Sequence, residues 1–403
     1  MAATPNAATP PMPAPLSLSA RAGALQPSLT LAIAAKARQL RADGQDICSL
    51  SAGEPDFDTP AFIRQAAAAA LEAGHTRYGP VAGEPALRQA IASKLDRENG
   101  VSLAADQVLV TNGGKQALYN LFQVLLDPGD EVLLPSPYWL SYPEMAHLAG
   151  ASVRLLPSEA ESGFRLDPAR LEAAITPASR LLVLNSPSNP TGMVMTREEM
   201  EVVAEVLRRH PRVAVVCDEI YEFLTAPGHQ HHCFAAVAPD LADRVFLVNG
   251  FAKGWAMTGW RLGWLAGPKH VVAAASALQS QSTSNVCSFA QFGGLAAIEA
   301  PRDCVHAMAE QFDERRALLS ERLMAIEGIK LRAPEGAFYA FPDVSQWGLD
   351  SMTLCNRLLD QVGLAVVPGV AFGDDRCIRL SCAAAPATIE DGIDRLSRFL
   401  TSL

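Results

Sequence analysis

Residues 180–221 read RLLVLNSPSNPTGMVMTREEMEVVAEVLRRHPRVAVVCDEIY. An apolar run, Arg180–Leu184, enters a turn stiffened by two X-Pro bonds and a closing glycine. An amphipathic stretch over Arg197–Arg209 follows, and a second apolar run, Val213–Cys217, delivers Asp218, Glu219 and Tyr221. Strand, helix, strand in this order predicts a mostly parallel sheet covered on both faces. Outward from this unit the pattern repeats. Strands are expected at Gln107–Thr111, Glu131–Leu134, Ser152–Leu156, Val245–Val248 and Leu262–Ala266, with another helix at Lys115–Leu126. Only about thirteen residues separate the last two strands, short enough for one of them to run antiparallel.

The flanks read differently. A helix over Thr30–Asp43 precedes the sheet, and a long one around Ala307–Glu327 follows it. Beyond lie short strands at Ile329–Leu331, Ala337–Phe341, Ala365–Val367 and Cys377–Ser381, a helix near Thr353–Val362 and a closing helix. The expected fold is therefore α/β: a large domain over 59–304 with a seven-stranded sheet, and a smaller α/β domain from 18–58 with 305–403. Residues 1–17, rich in proline and alanine and without charge, read as a tail that lacks the basic start of a secretory signal.

Composition narrows the function. With 49% hydrophobic and 19% charged residues the 403-residue chain can fill a large core. No apolar run reaches the roughly 18 residues of a spanning helix, so no membrane partner is expected. Against 43 acidic residues stand 33 basic ones, a net charge of −10 that disfavours nucleic acid as a partner. The eight cysteines contain no C-x-x-C pair and read as reduced thiols of a cytoplasmic protein. The run HQHHC at 229–233 holds metal-ligand types in a Pro/Gly-flanked loop, and no metal is assigned to it.

Chemistry concentrates just past the strands, where open α/β sheets bind ligands. In VFLVNGFAKGWAMTGWRLG at 245–263, Lys253 sits among Phe251, Trp255, Met257 and Trp260. Poor hydration there would free a neutral, nucleophilic amine; composition alone leaves a snorkelling surface lysine equally open. Asp218 is placed to face a buried cation such as a protonated ring nitrogen, or merely to start a helix. Gly113-Gly114, at a strand-to-helix turn in VLVTNGGKQAL, lets backbone N–H groups approach a phosphate. The NSPSNPTG turn can aim Asn189 at a site, and the aromatics of PSPYWLSY can stack on a flat ring or cover core. Gathered in one pocket, a lysine, an aspartate, a tyrosine, an arginine and a diglycine turn suit an anionic, aromatic, aldehyde-bearing cofactor, pyridoxal 5′-phosphate.

The chain resembles the class I aminotransferases, pyridoxal-phosphate enzymes of the aspartate aminotransferase fold (fold type I), from about Leu25 to the C-terminus. The resemblance rests on SLSAGEPDFDTP at 49–60, TRYGP at 76–80, VTNGGKQAL, PSPYW, NSPSNPTG, DEIY, NGFAKGWAMTGWRLG, PEGAFYAFPD and IRLSCA at 378–383. It implies that Lys253 carries the cofactor and moves the proton, that Asp218 pairs with the pyridinium nitrogen, and that Tyr221 and Asn189 meet its phenolic oxygen. It further implies Trp139 stacked on the ring, Arg261 and the Gly113-Gly114 amides on the phosphate, and Arg379 on the substrate α-carboxylate, with Gly53 in the segment closing over the substrate. Tyr78 is expected to reach the phosphate of a neighbouring subunit, which implies a homodimer with shared sites. Gly250 stands where some members carry a phosphate-binding serine, and Cys382 where the nearest subgroup commonly has tyrosine.

The substrates implied are amino acids and 2-oxo acids. The stretch SQSTSNVCS at 280–288 lacks the arginine that animal-type members place before a Ser-Asn pair. Lys115, Ser28, Thr30 and Ser284 instead resemble the bacterial and plant subgroup acting on aspartate, glutamate and, in some members, prephenate. An enzyme for aromatic or neutral amino acids, or a carbon–sulfur β-lyase on the same fold, is the alternative.

Overall fold

The computed structural model describes residues 16–25, 27 and 29–403. Its strands are, in chain order, β1 (Cys48–Ser49), β2 (Val108–Thr111), β3 (Glu131–Ser136), β4 (Ser152–Pro157), β5 (Ser179–Asn185), β6 (Ala214–Asp218), β7 (Val245–Gly250), β8 (Gly263–Ala266), β9 (Tyr339–Ala340), β10 (Leu364–Ala365), β11 (Val367–Pro368) and β12 (Ile378–Ser381). The order β2-β8-β7-β6-β5-β3-β4 forms the seven-stranded sheet. Every pairing from β4 across to β7 is parallel. Strand β8 alone is reversed, antiparallel to both β7 and β2. The cause is the short link 251–262, which has no room for a helical crossover. That link carries both Lys253 and Arg261.

The central strands are buried along their whole length, as a sheet covered on both faces requires. One face packs Leu182, Val215, Leu247 and Trp264 against helices that include Arg197–Arg209. The other packs Val183, Val216, Val248 and Leu265 with Leu118 and Phe122 of helix Gly114–Leu125. Helix Arg197–Arg209 starts on a Thr196/Glu199 capping box and carries acids in its first turn and arginines in its last, which suits its dipole.

A third core gathers Leu50 and Phe312, Phe338, Leu358, Leu380, Ile393 and Phe399 from the two flanks of the chain. It also takes in Tyr221 and Leu224, which belong to the segment following β6. That segment is stitched to the flank: Ala337 N donates to Leu224 O at 2.7 Å and Ala226 N to Glu335 O at 2.7 Å.

Two expected strands are corrected. Ile329–Leu331 forms no strand; bounded by Gly328 and Pro334, it manages a single bridge, Lys330 to Asp343. Ala365–Val367 is divided at Val366, because the chain serves two sheets in turn: β10 lies parallel to β1, and β11 antiparallel to β12. The long helix runs Asp303–Met324, starting earlier than its expected 307.

Candidate active site

The carboxyl ends of β5, β6 and β7 lie side by side, Asn185 opposite Asp218 and Asp218 opposite Val248. Asp218 is buried and held from two directions: Tyr142 Oη donates to Oδ2 at 2.8 Å, and Ile220 N donates to Oδ1 at 3.3 Å. Burial pushes its carboxyl up to about 6, against the pull of those two donors.

Lys253 stands half-buried just past β7, among buried Phe251, Trp255 and Met257. Its ammonium donates to the Gly53 carbonyl and lies 5.8 Å from the Tyr221 ring centre and 5.7 Å from that of Phe338. Burial lowers its pKa to about 8; Arg379 and Arg261 push the same way, while Glu54 and Asp218 oppose. The amine is therefore part neutral near physiological pH, as a nucleophile or proton carrier needs.

Arg379, on β12, is 2% exposed. Nη1 donates to Asn189 Oδ1 at 3.0 Å and Nη2 to Ser51 O at 3.1 Å, while Nε has no partner among the described residues. A buried guanidinium with no carboxylate partner among the described residues is costly and is suited to an incoming anion. Asn189 is itself fixed by its N–H on Asn185 Oδ1 at 2.8 Å.

Gly113 adopts φ +79° before helix Gly114–Leu125, and a Cβ there would stand 2.8 Å from Arg261 Nη2. Backbone amides at a helix start and a guanidinium thus share one spot, a donor set for a phosphate. Arg261, left-handed at φ +52°, is tethered through Nη1 to Thr258 O at 2.9 Å. Gly250 has a backbone reason: a Cβ there would meet Leu262 O at 2.9 Å, so the close approach of β7 and β8 crowds out a side chain. The donors on show fit an anionic aromatic aldehyde: amides and guanidinium for the phosphate, a buried carboxylate for a ring nitrogen, and a lysine with lowered pKa.

Lys115, exposed in the first turn of its helix, places Nζ 4.8 Å from the half-buried Trp139 ring. Desolvation of the ammonium end, then Arg261, lowers its pKa although the side chain as a whole is exposed. Tyr78 is 90% exposed. Ser284, at φ +61°, closes helix Lys269–Ser282 through its N–H on Gln279 O. Thr30 lies in helix Leu29–Ala42 with its hydroxyl buried and unpartnered among the described residues, and Ser28 lies outside them. Cys382 is buried beneath the site, its N–H on Phe338 O at 2.9 Å and its thiol pushed up to about 12 by burial.

Sequence reasoning gave no role to Tyr142 or Tyr339. Tyr339 Oη lies 2.9 Å from Tyr221 Oη, and its ring lies 4.4 Å under the Arg379 guanidinium. It also missed the interior behind Asp218. There Lys94, fully buried, pairs with Glu222 at 2.5 Å, and Asn99 and Asn249 add hydrogen bonds at 2.9 and 2.8 Å. His231, from the HQHHC run, lies 3.6 Å from Glu219. Glu219, Glu222 and His231 bring ligand atoms within 4.8 Å of one another, and the Lys94 ammonium already offsets the Glu222 charge.

A mostly parallel sheet with a lysine of lowered pKa, a buried carboxylate and an anion-suited donor set at its strand ends is the architecture of an α/β enzyme. Residues 45–396 match the family described as aminotransferase class I and II. The chain belongs to that family, whose members work with pyridoxal phosphate. It is 47% identical over 401 residues to a bifunctional aspartate aminotransferase and glutamate/aspartate-prephenate aminotransferase of Petunia hybrida, covering 96% of this chain and 84% of the relative. It is 43% identical to an aspartate/prephenate aminotransferase of Cereibacter sphaeroides, covering 94% and 97%. The aspartate aminotransferase from Thermus thermophilus with maleate superposes with a TM-score of 0.90 at 44% identity, covering 95% and 99%. The aspartate aminotransferase from Rhizobium meliloti superposes with a TM-score of 0.93 at 38% identity, covering 96% and 99%.

Proposed function

We propose that this aminotransferase binds pyridoxal phosphate through Lys253 and moves an amino group between aspartate or glutamate and a 2-oxo acid, with prephenate as a further acceptor. The observation that carries the reading is that Lys253, whose pKa burial lowers, and Arg379, buried with no carboxylate partner among the described residues, both donate to backbone carbonyls of segment 51–53. When bound, pyridoxal phosphate supplies an electron sink that weakens the Cα–H bond of the amino acid.

The chain's own residues do the rest. Arg379 grips the α-carboxylate with its free Nε and a neighbouring N–H, and Asn189 keeps the guanidinium in plane. Nζ of Lys253, free once the substrate amine has taken its place, takes the Cα proton and passes it to the former aldehyde carbon, and the return half of the cycle reverses both transfers. Asp218, steadied by Tyr142, faces the pyridinium nitrogen, and Tyr221 and Asn189 face the phenolic oxygen. Trp139 covers the ring; Gly113, Gly114 and Arg261 hold the phosphate. Gly53 closes over the substrate. Lys115, with Thr30, Ser28 and a partner chain's Ser284 position, receives the side-chain carboxylate.

The exposure of Tyr78 supports a homodimer in which that phenol completes the neighbouring phosphate site. We place the unit boundaries at 59 and 304, consistent with the separate core formed by the chain's flanks. No described helix is long and apolar enough to cross a membrane, and the eight free cysteines suit a reducing cytoplasmic compartment. A panel of amino donors against oxaloacetate, 2-oxoglutarate and prephenate tests the reading. Preference for alanine or phenylalanine over aspartate would overturn the substrate assignment.

A further inference from the structure

Tyr339 lies on β9, beside β12, with Ser381 as its register partner and Arg379 two residues away. It is 1% exposed and packs against Phe338 at 4.6 Å between ring centres. Three contacts converge on it. Its hydroxyl meets the Tyr221 hydroxyl at 2.9 Å. Its ring lies 4.4 Å under the Arg379 guanidinium, with Phe372 at 4.9 Å as the other aromatic neighbour. A Cβ on Gly53, whose carbonyl takes the Lys253 ammonium, would stand 3.6 Å from the Tyr339 hydroxyl.

Burial raises the pKa of both phenols, so each keeps its proton at neutral pH. The charged and titratable groups acting on Tyr339 are Arg379, Tyr221 and Cys382. Two neutral hydroxyls carry two protons and share one hydrogen bond, so the direction of that bond decides which proton faces the pocket. A Tyr221 that donates to Tyr339 has none left for a ligand. A Tyr221 that receives from Tyr339 keeps its own proton for the pocket and becomes a stronger donor, because hydrogen bonds in a chain polarise one another. The Tyr339 ring meanwhile offers a π face to a guanidinium whose Nε is unpartnered.

We propose that Tyr339 is a positioning residue that serves both ends of the site: its hydroxyl donates to Tyr221, and its ring seats Arg379 for the substrate carboxylate. This rests on the pyridoxal-phosphate reading given above. It acts through Tyr221 and Arg379. It couples the donor to the phenolic oxygen with the carboxylate grip.

Two variants of the holoenzyme separate the hydroxyl from the ring. Tyr339→Phe keeps the ring and weakens Tyr221 as a donor to a phenolate. The pH midpoint of the cofactor's visible absorption change then moves up by roughly 0.5 to 1, and kcat falls about 3- to 10-fold. KM for aspartate and the calorimetric Kd for succinate stay within about twofold. Tyr339→Met fills the space without a π face, and it adds a rise in both KM and succinate Kd of about 3- to 30-fold. A Y339F enzyme titrating at the wild-type midpoint overturns the hydroxyl role. Succinate binding in Y339M as tight as in Y339F overturns the ring role. Where Y339M does not fold, Tyr339→Leu takes its place in the succinate comparison, and Y339F still decides the hydroxyl role. A wild type with no titrating visible band overturns this proposal and the cofactor reading together, whereas an unmoved Y339F midpoint in a titrating background overturns this proposal alone.

Discussion

Lys94 and Lys253 both place an ammonium inside the protein, and their surroundings differ in kind. Lys94 is fully buried with a carboxylate at 2.5 Å and an amide oxygen, Asn99 Oδ1, at 2.8 Å. Burial works against the charge on Glu222, yet Lys94, His231 and Asn99 outweigh it and hold its pKa below the usual range. Lys253 has only a carbonyl, Gly53 O, as hydrogen-bond partner among the described residues, and burial draws its pKa down to about 8. A compensated buried cation fixes structure. A cation left half-compensated gives its proton up and can do chemistry. The difference lies in the partners, of which Glu222 sits 128 residues from Lys94 and Gly53 sits 200 from Lys253.

Substitutions at both sites test this contrast. The largest effect is expected from Lys253→Ala: loss of the visible cofactor absorption and a fall in turnover of about 10⁴-fold or more, with a Tm close to wild type. An active K253A enzyme would end the assignment. Lys94→Met should do the reverse. It leaves Glu222 buried and unpaired, costs about 3–5 kcal/mol in denaturant titration, and spares the spectrum of whatever fraction folds. If K94M is as stable as wild type, the Lys94–Glu222 pair is not structural. Asp218 gives a pH test. Its folded pKa, raised from 3.8 to about 6, means that the folded state holds a proton the unfolded chain releases. Its contribution is full below about pH 3.8 and is lost as pH rises through about 6. Across that window cofactor-free wild type should lose about 3 kcal/mol relative to Asp218→Asn; parallel stability curves would refute the shift. Lys115→Ala removes one charge-assisted contact worth about 1.5–3 kcal/mol, so kcat/KM for aspartate should drop roughly 10- to 100-fold while alanine changes little. Equal losses for both substrates would return Lys115 to a structural role. The smallest effect concerns capture of pyridoxal phosphate by the cofactor-free protein, whose rate should rise with pH through about 8 as the Lys253 amine deprotonates. A rate flat from pH 7 to 9 would contradict that pKa.

The sheet was legible because its central strands are apolar runs and because the link 251–262 is too short to cross over. Asp218 and Lys253 stood out because each is a charged residue just past an apolar strand, although local composition left both roles open, and Arg379 was reached only through the resemblance carried by IRLSCA. The partners were not legible. Tyr339 and Tyr221 are 118 residues apart, and Tyr142 and Asp218 are 76 apart. Neither spacing leaves a local mark. Lys94, in SKLDREN, reads as a solvated helical lysine, and only Glu222, 128 residues on, explains its burial. Ile329–Leu331 failed as a strand because β propensity over three residues cannot supply a neighbour to pair with.

The segment after β6 carries Tyr221 while its far end, Leu224–Ala226, is bonded into the flanking core at residues 335–337. Any swing of the outer body therefore tugs on the phenol that lines the pocket. A denaturant that loosens that outer body should quench the bound chromophore in the same step, so its fluorescence would report the integrity of a region well away from it.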